Sequence, residues 1–291
     1  MTGNTDSVTE SRRESDAGTT GETTGDPEAP TFRGDDLVVG YPGTDEPVID
    51  GESVVAAPGE VTALVGPNGS GKSTLLKGLA DQVDREAGTV LLDGDDVDDI
   101  GTKALARSVG LLSQENVAPD SLTVGELVEH GRYPHRGFFD GLTEEDISAI
   151  HRAVELAGVD HLRDREVGQL SGGQKQLVWI AMVLAQETGV LLLDEPTTFL
   201  DLHHQLQVLD VLETLRAEGE TTIVVVLHDI QQAARFADYI VALEDGSVYD
   251  WGPPGDVLTE QLLADVFRVD AVVEHDPLRV SPRRALDDGN D

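Results

Sequence analysis

Short apolar runs recur along the chain at residues 61–65, 89–92, 109–112, 190–193, 222–227 and 239–243. The segments between several of them carry apolar residues at helical spacing. Strands alternating with helices predict an α/β core on a mixed, largely parallel sheet, with the early strands forming an antiparallel layer beside it. Residues 190–193 are apolar at every position, as in a strand buried on both faces. Order is expected to begin near Leu37-Val38-Val39. Between residues 115 and 170 the pattern turns helical and predicts an inserted helical subdomain. There Thr143-x-x-Asp146 is a capping-box start, Ile147, Ile150 and Val154 share one face, and Gly158 suits a stop. Further helices are expected from Lys72 onward, over 175–186 and over 259–268.

The first thirty residues are mostly Thr, Gly, Ser, Glu and Asp, and read as a disordered acidic tail. The chain therefore divides into a tail (1–33), one main domain (34–268) and a C-terminal tail (269–291). With 20 basic and 56 acidic residues the net charge is −36, and only four of the bases are lysines. Because the first thirty residues contribute −5 of this, the acidity belongs to the body. Such a surface suits a halophile's cytoplasm, where molar salt screens self-repulsion. It disfavours unaided binding to anionic lipid or to nucleic-acid phosphates. Zero cysteines exclude disulfides and thiolate metal sites. No run of 18 apolar residues occurs, so no membrane span is expected.

Residues 66–74 read Gly66-Pro67-Asn68-Gly69-Ser70-Gly71-Lys72-Ser73-Thr74, between an apolar strand and a helix. Glycines at 66, 69 and 71 let backbone N–H groups wrap phosphates at a helix N-terminus, where the dipole favours negative charge. Lys72 is then placed for the β- and γ-phosphates of ATP, and the Ser73 hydroxyl for Mg²⁺. Asp194 ends the strand at 190–193, on the strand edge where open α/β sheets bind ligands, and is a second candidate for the metal. Glu195 beside it is the candidate general base for an attacking water. Leu170-Ser171-Gly172-Gly173-Gln174 opens a helix, and Ser171 with the Gly172 and Gly173 amides forms an anion-binding start.

These three segments, in this order and at these distances, resemble the ATPase subunits of ABC systems over residues 37–252. The resemblance implies an ABC-type phosphate-loop ATPase using ATP and Mg²⁺. It casts Gln114 as the Q-loop glutamine at the metal and the water, and His228 as the H-loop histidine at the γ-phosphate. Tyr41 matches the aromatic that stacks on adenine. Asp201 matches the D-loop aspartate, although Thr198-Phe199 replaces the usual small residues before it. The signature at 170–174, Gln174 included, implies contact with ATP held by a second copy, hence a head-to-tail homodimer with two ATPs sandwiched. Lys175 and Leu177 stand where relatives commonly have arginines.

Two longer phrases, Gly131-Arg132-Tyr133-Pro134-His135 and residues 197–205 (TTFLDLHHQ), look like ATPases of the iron-siderophore importers. That group's permeases also include those for cobalamin and haem. The resemblance implies a peripheral subunit on the cytoplasmic membrane face, partnered by permease subunits and, through them, by an external substrate-binding protein. The first phrase is expected near the surface that receives the permease. An importer of cobalamin or haem is the alternative, and a soluble ABC ATPase acting on DNA or ribosomes a distant one. Adjacent His203 and His204 diverge on a helix, which argues against a metal site there.

Overall fold

The computed structural model describes residues 29–43, 46–137 and 140–286. The proposed acidic tail lies outside the described residues as far as residue 28. The first strand, β1 (Phe32–Val39), starts five residues earlier than the apolar triplet at Leu37 suggests, because Phe32 and Leu37 anchor it together. β1 lies between β2 (Ile49–Ala56) and β4 (Arg85–Leu92), and a two-residue β5 (Asp95–Asp96) completes a four-stranded antiparallel sheet.

The second sheet has the order β10-β9-β3-β8-β7-β6. Its members are β3 (Val61–Val65), β6 (Val109–Leu112), β7 (Val190–Leu193), β8 (Thr222–Val226), β9 (Tyr239–Glu244) and β10 (Ser247–Gly252). All pairings are parallel except the hairpin between β9 and β10. Strands β3, β7 and β8 are buried at every position, as their near-continuous apolar runs require. Because successive side chains point to opposite faces, these strands feed two cores. Leu64, Leu192, Val224 and Val226 face the antiparallel sheet and α1 (Lys72–Leu79). Ala63, Leu191, Leu193 and Val225 face the helices on the other side.

Those helices include α3 (Val124–Glu129), α4 (Glu144–Leu156), α5 (Gly172–Leu184), α6 (Leu202–Glu218) and α7 (Ile230–Phe236), while α2 (Thr102–Ser108) precedes β6. Thr143 caps α4 in a full capping box with Asp146, as the sequence predicts. Ile150 and Val154 are buried, whereas Ile147 is exposed, one turn before the packed face begins. The helix begun by Ser171 starts at Gly172, three residues before the expected start, since the glycines fit its first turn. Short helices α8 (Pro254–Val257) and α9 (Glu260–Asp265) follow β10, the latter within the expected 259–268. Residues 269–285 are not an extended tail. They form a hairpin of β11 (Val269–His275) and β12 (Leu278–Ala285), which buries Ala271 and Val280 in the main core. A short alternating hairpin with one buried side chain per strand leaves little apolar pattern to read.

The phrase at 131–135 is mostly internal. It lies in a 3₁₀ segment, His130–His135, with Gly131 and Arg132 buried and Tyr133 exposed. Arg132 donates to Asp146 Oδ1 (2.8 Å), to the Ala185 carbonyl (3.0 Å) and to Glu187 Oε2 (3.0 Å). His135 Nε2 lies 2.7 Å from the Gln186 carbonyl. These contacts satisfy carbonyls at the C-terminal end of α5 that the helix itself leaves open. A Cβ on Gly131 would stand 2.1 Å from the Met182 carbonyl oxygen, so only glycine allows this approach.

Candidate functional site

The C-terminal ends of β3, β7 and β8 open onto one cavity of about 670 Å³. Asn68, Gly69 and residues 71–74 line it, together with Gln114, Glu195 and His228. The loop between β3 and α1 closes on itself. Gly71 holds φ at 96°, a left-handed conformation that costs other residues about 1–2 kcal/mol, and delivers the chain into α1. Lys72 is buried and donates to the Gly66 and Pro67 carbonyls at 3.0 and 2.8 Å. Burial pushes its pKa down, opposed by the carboxylates of Glu195 and Asp194. Ser70 is also buried, and its backbone carbonyl accepts from Gly246 N–H.

Ser73 Oγ donates to Asp194 Oδ1 at 2.8 Å. The other oxygen of Asp194 is fully buried without a hydrogen-bond partner. A buried carboxylate oxygen left unpaired is costly, and it marks the side of Asp194 where a cation fits. Burial raises the Asp194 pKa; the Ser73 hydrogen bond and Lys77 act against that rise, Glu195 adds to it, and Lys72 opposes it. Among the described residues no cluster of three or more His, Cys, Asp or Glu side chains could cage a metal alone. One carboxylate and one hydroxyl suit Mg²⁺, which keeps waters and takes substrate phosphates as its remaining ligands.

Both oxygens of Glu195 are engaged. Gln114 Nε2 donates to Oε2 at 2.9 Å, and His228 Nε2 lies 2.5 Å from Oε1. Glu195 itself holds φ at 52°, unusual for a non-glycine residue. Gln114 follows β6, while His228 follows β8, so the parallel sheet brings residues 114, 195 and 228 to one edge. Tyr41 is partly exposed, with its hydroxyl 3.3 Å from Thr74 Oγ1.

Ser171, Gly172, Gly173 and Gln174 do not line this cavity, and neither does Asp201. Ser171 and Gln174 form the capping box of α5, at 3.3 and 3.1 Å. Asp201 caps α6, accepting from the His204 backbone N–H (3.0 Å) and facing His204 Nδ1 (2.9 Å). Those contacts, the backbone one first, lower its pKa. Thr197, Gln205, Asp229 and Gln232 line the cavity but are absent from the motif-based set. Their signal is faint, since polar residues at helix starts are ordinary and only the fold turns these inward.

The family model described as ABC transporter matches residues 49–198. The ferric enterobactin transport ATP-binding protein FepC of Escherichia coli (strain K12) is 42% identical over 251 residues, 86% of this chain and 92% of that one. The iron(3+)-hydroxamate import ATP-binding protein FhuC of Bacillus subtilis (strain 168) is 43% identical, across 84% and 91% of the two chains. Among solved structures, the dimeric structure of MJ0796, a bacterial ABC transporter cassette, superposes with a TM-score of 0.68 at 28% identity. It spans 77% of this chain and 98% of that one. With the phosphate loop, Asp194-Glu195 and the capped start of α5 in one fold, the chain belongs to the ABC transporter family, as one of its ATP-binding, ATP-hydrolysing subunits.

Proposed function

We propose that this chain energises the import of ferric siderophores or related iron chelates through a membrane permease. The observation that supports its ATP-hydrolysing half most is the Glu195 carboxylate, held between Gln114 and His228 in the cavity that Lys72 and Ser73 also line. Glu195 takes the proton of the attacking water, Gln114 and His228 fix its orientation, and His228 is available to the γ-phosphate. Lys72 and the loop amides at 69–73 hold the β- and γ-phosphates, and Tyr41 stacks on adenine. Ser73 and Asp194 would hold Mg²⁺, which when bound offsets charge on the phosphate oxygens.

The iron-chelate assignment rests on relatives named for ferric enterobactin and iron(3+)-hydroxamate. No described helix is long and apolar enough to cross a membrane. By its likeness to ATP-binding subunits of import systems, the chain works as a peripheral subunit on the cytoplasmic face, against permease subunits fed by an external binding protein. Its active form is a head-to-tail dimer. The signature at 171–174 lies outside the cavity that contains Lys72 and Glu195, so a second copy supplies it. Closure on two ATPs drives release inward, and hydrolysis resets the machine.

Glu195→Gln tests the reading. Hydrolysis should fall by about 10²–10⁴-fold while ATP binding persists, and cells carrying the variant should lose radio-iron chelate uptake. Loss of labelled cobalamin uptake alone would transfer the same mechanism to that cargo. Near-normal hydrolysis by the variant would end the base assignment.

A further inference from the structure

The loop that carries Glu195 contains two non-glycine residues in the left-handed region, Glu195 (φ 52°) and Phe199 (φ 61°). Each such conformation costs about 1–2 kcal/mol and persists only where surrounding structure over-determines it. Phe199 cannot supply that restraint, being 96% exposed. The restraint comes from polar side chains. Thr197 Oγ1 donates to Gln232 Oε1 (3.0 Å), Gln232 Nε2 donates to Gln205 Oε1 (3.1 Å), and Gln205 Nε2 donates to the Leu200 carbonyl (3.0 Å).

The direction of this chain of bonds is forced. The Leu200 carbonyl can only accept, so Gln205 must turn its nitrogen to it and its oxygen to Gln232. Gln232 must then present its own nitrogen, which leaves its oxygen for Thr197, whose hydroxyl must donate. Flipping either amide would set like atoms against each other. The far end is anchored as well. Asp229, the residue after His228, accepts from the Gln231 and Gln232 backbone N–H groups at 2.7 and 3.4 Å and so fixes the start of α7.

We propose that Thr197, Gln232 and Gln205 are positioning residues, a relay that locks the Glu195 loop to the helix following His228. The proposal rests on the reading of Glu195 and His228 as hydrolytic groups. The relay spans the gap between the two segments, two residues after Glu195 and four after His228. It keeps their side chains in register over the phosphate end of the cavity. Deleting it removes neither Lys72 nor Ser73, so nucleotide binding should survive while the water-activating geometry loosens.

The test is steady-state hydrolysis by the full-length chain as Thr197→Val, Thr197→Ser, Gln232→Leu and the Thr197→Val/Gln232→Leu double variant. A misplacement of about 1 Å costs on the order of 10²-fold. Thr197→Val and Gln232→Leu should thus each lower kcat by about 10- to 100-fold, with KM for ATP within about twofold. Thr197→Ser, which keeps the hydroxyl, should retain kcat within about threefold. The double variant should be little worse than either single, because one relay fails only once. The relay is overturned if Thr197→Val keeps its kcat, if Thr197→Ser fails equally, or if the deletions abolish ATP binding in a fluorescent-nucleotide titration. Glu195→Gln assayed alongside separates the two readings. Near-normal Glu195→Gln with a crippled Thr197→Val sinks the base assignment alone, and the converse sinks the relay alone.

Discussion

Replacing Arg132 with methionine removes a cation from a place where its partner cannot be left bare. Arg132 and Asp146 have side chains 2% and 4% exposed, and their contact is 2.8 Å. Burial alone would push the Asp146 carboxyl up. The Thr143 backbone N–H, Arg132 and the Thr143 hydroxyl more than offset it, holding the pKa at about 2 against an ordinary 3.8. Removing one member of a buried pair costs about 3–5 kcal/mol, because a charge is stranded away from water. Glu187 adds little to that cost, since it is one-third exposed and keeps Arg152. At about 2–4 °C per kcal/mol for a domain of this size, Arg132→Met should lower Tm by roughly 6–20 °C. Adding Asp146→Asn neutralises the stranded group while keeping a side chain able to cap α4. The double variant should therefore recover about half the loss or more. Thermal unfolding followed by circular dichroism at pH 7 reads both changes. A Tm drop under about 3 °C, or a double variant no better than the single, would refute the assignment of this pair as the buried electrostatic tie.

The same pair sets a pH limit. Since Asp146 has its pKa depressed in the folded chain, its contribution is fully present above about 3.8 and is lost as pH falls toward about 2. Acid unfolding of Asp146→Asn should lack that component, so its midpoint should depend less steeply on pH in that window than the parent's. Ser171→Arg should stop hydrolysis while leaving nucleotide binding to single chains intact, as titration with a fluorescent ATP analogue would report. Full-rate hydrolysis by an isolated monomer would contradict the sandwiched dimer.

Much of the site was legible because its motifs sit at strand ends, and strands β3, β6, β7 and β8 announce themselves as apolar runs. Once those strands are parallel neighbours, Lys72, Gln114, Asp194-Glu195 and His228 must share an edge. The less legible parts lack this logic. β2 has its apolar positions interrupted by Asp50-Gly51-Glu52-Ser53, and β10 buries only Gly252, so neither shows a strand-length run. The hairpin at 269–285 has the same defect. The relay was invisible for a different reason. Thr197, Gln205 and Gln232 belong to three elements, and no spacing in the chain reveals that their side chains converge.

Each of the two phrases that pointed most narrowly at the iron-chelate group is tied to a neighbouring helix. Residues 131–135 look outward only through Tyr133, while Arg132 and His135 grip the carbonyls at the end of α5. Residues 197–205 present Phe199 and Leu202 to solvent but commit Thr197 and Gln205 to α7. α5 is therefore fixed at both termini, by the Ser171 capping box at its start and by Arg132 and His135 at its finish.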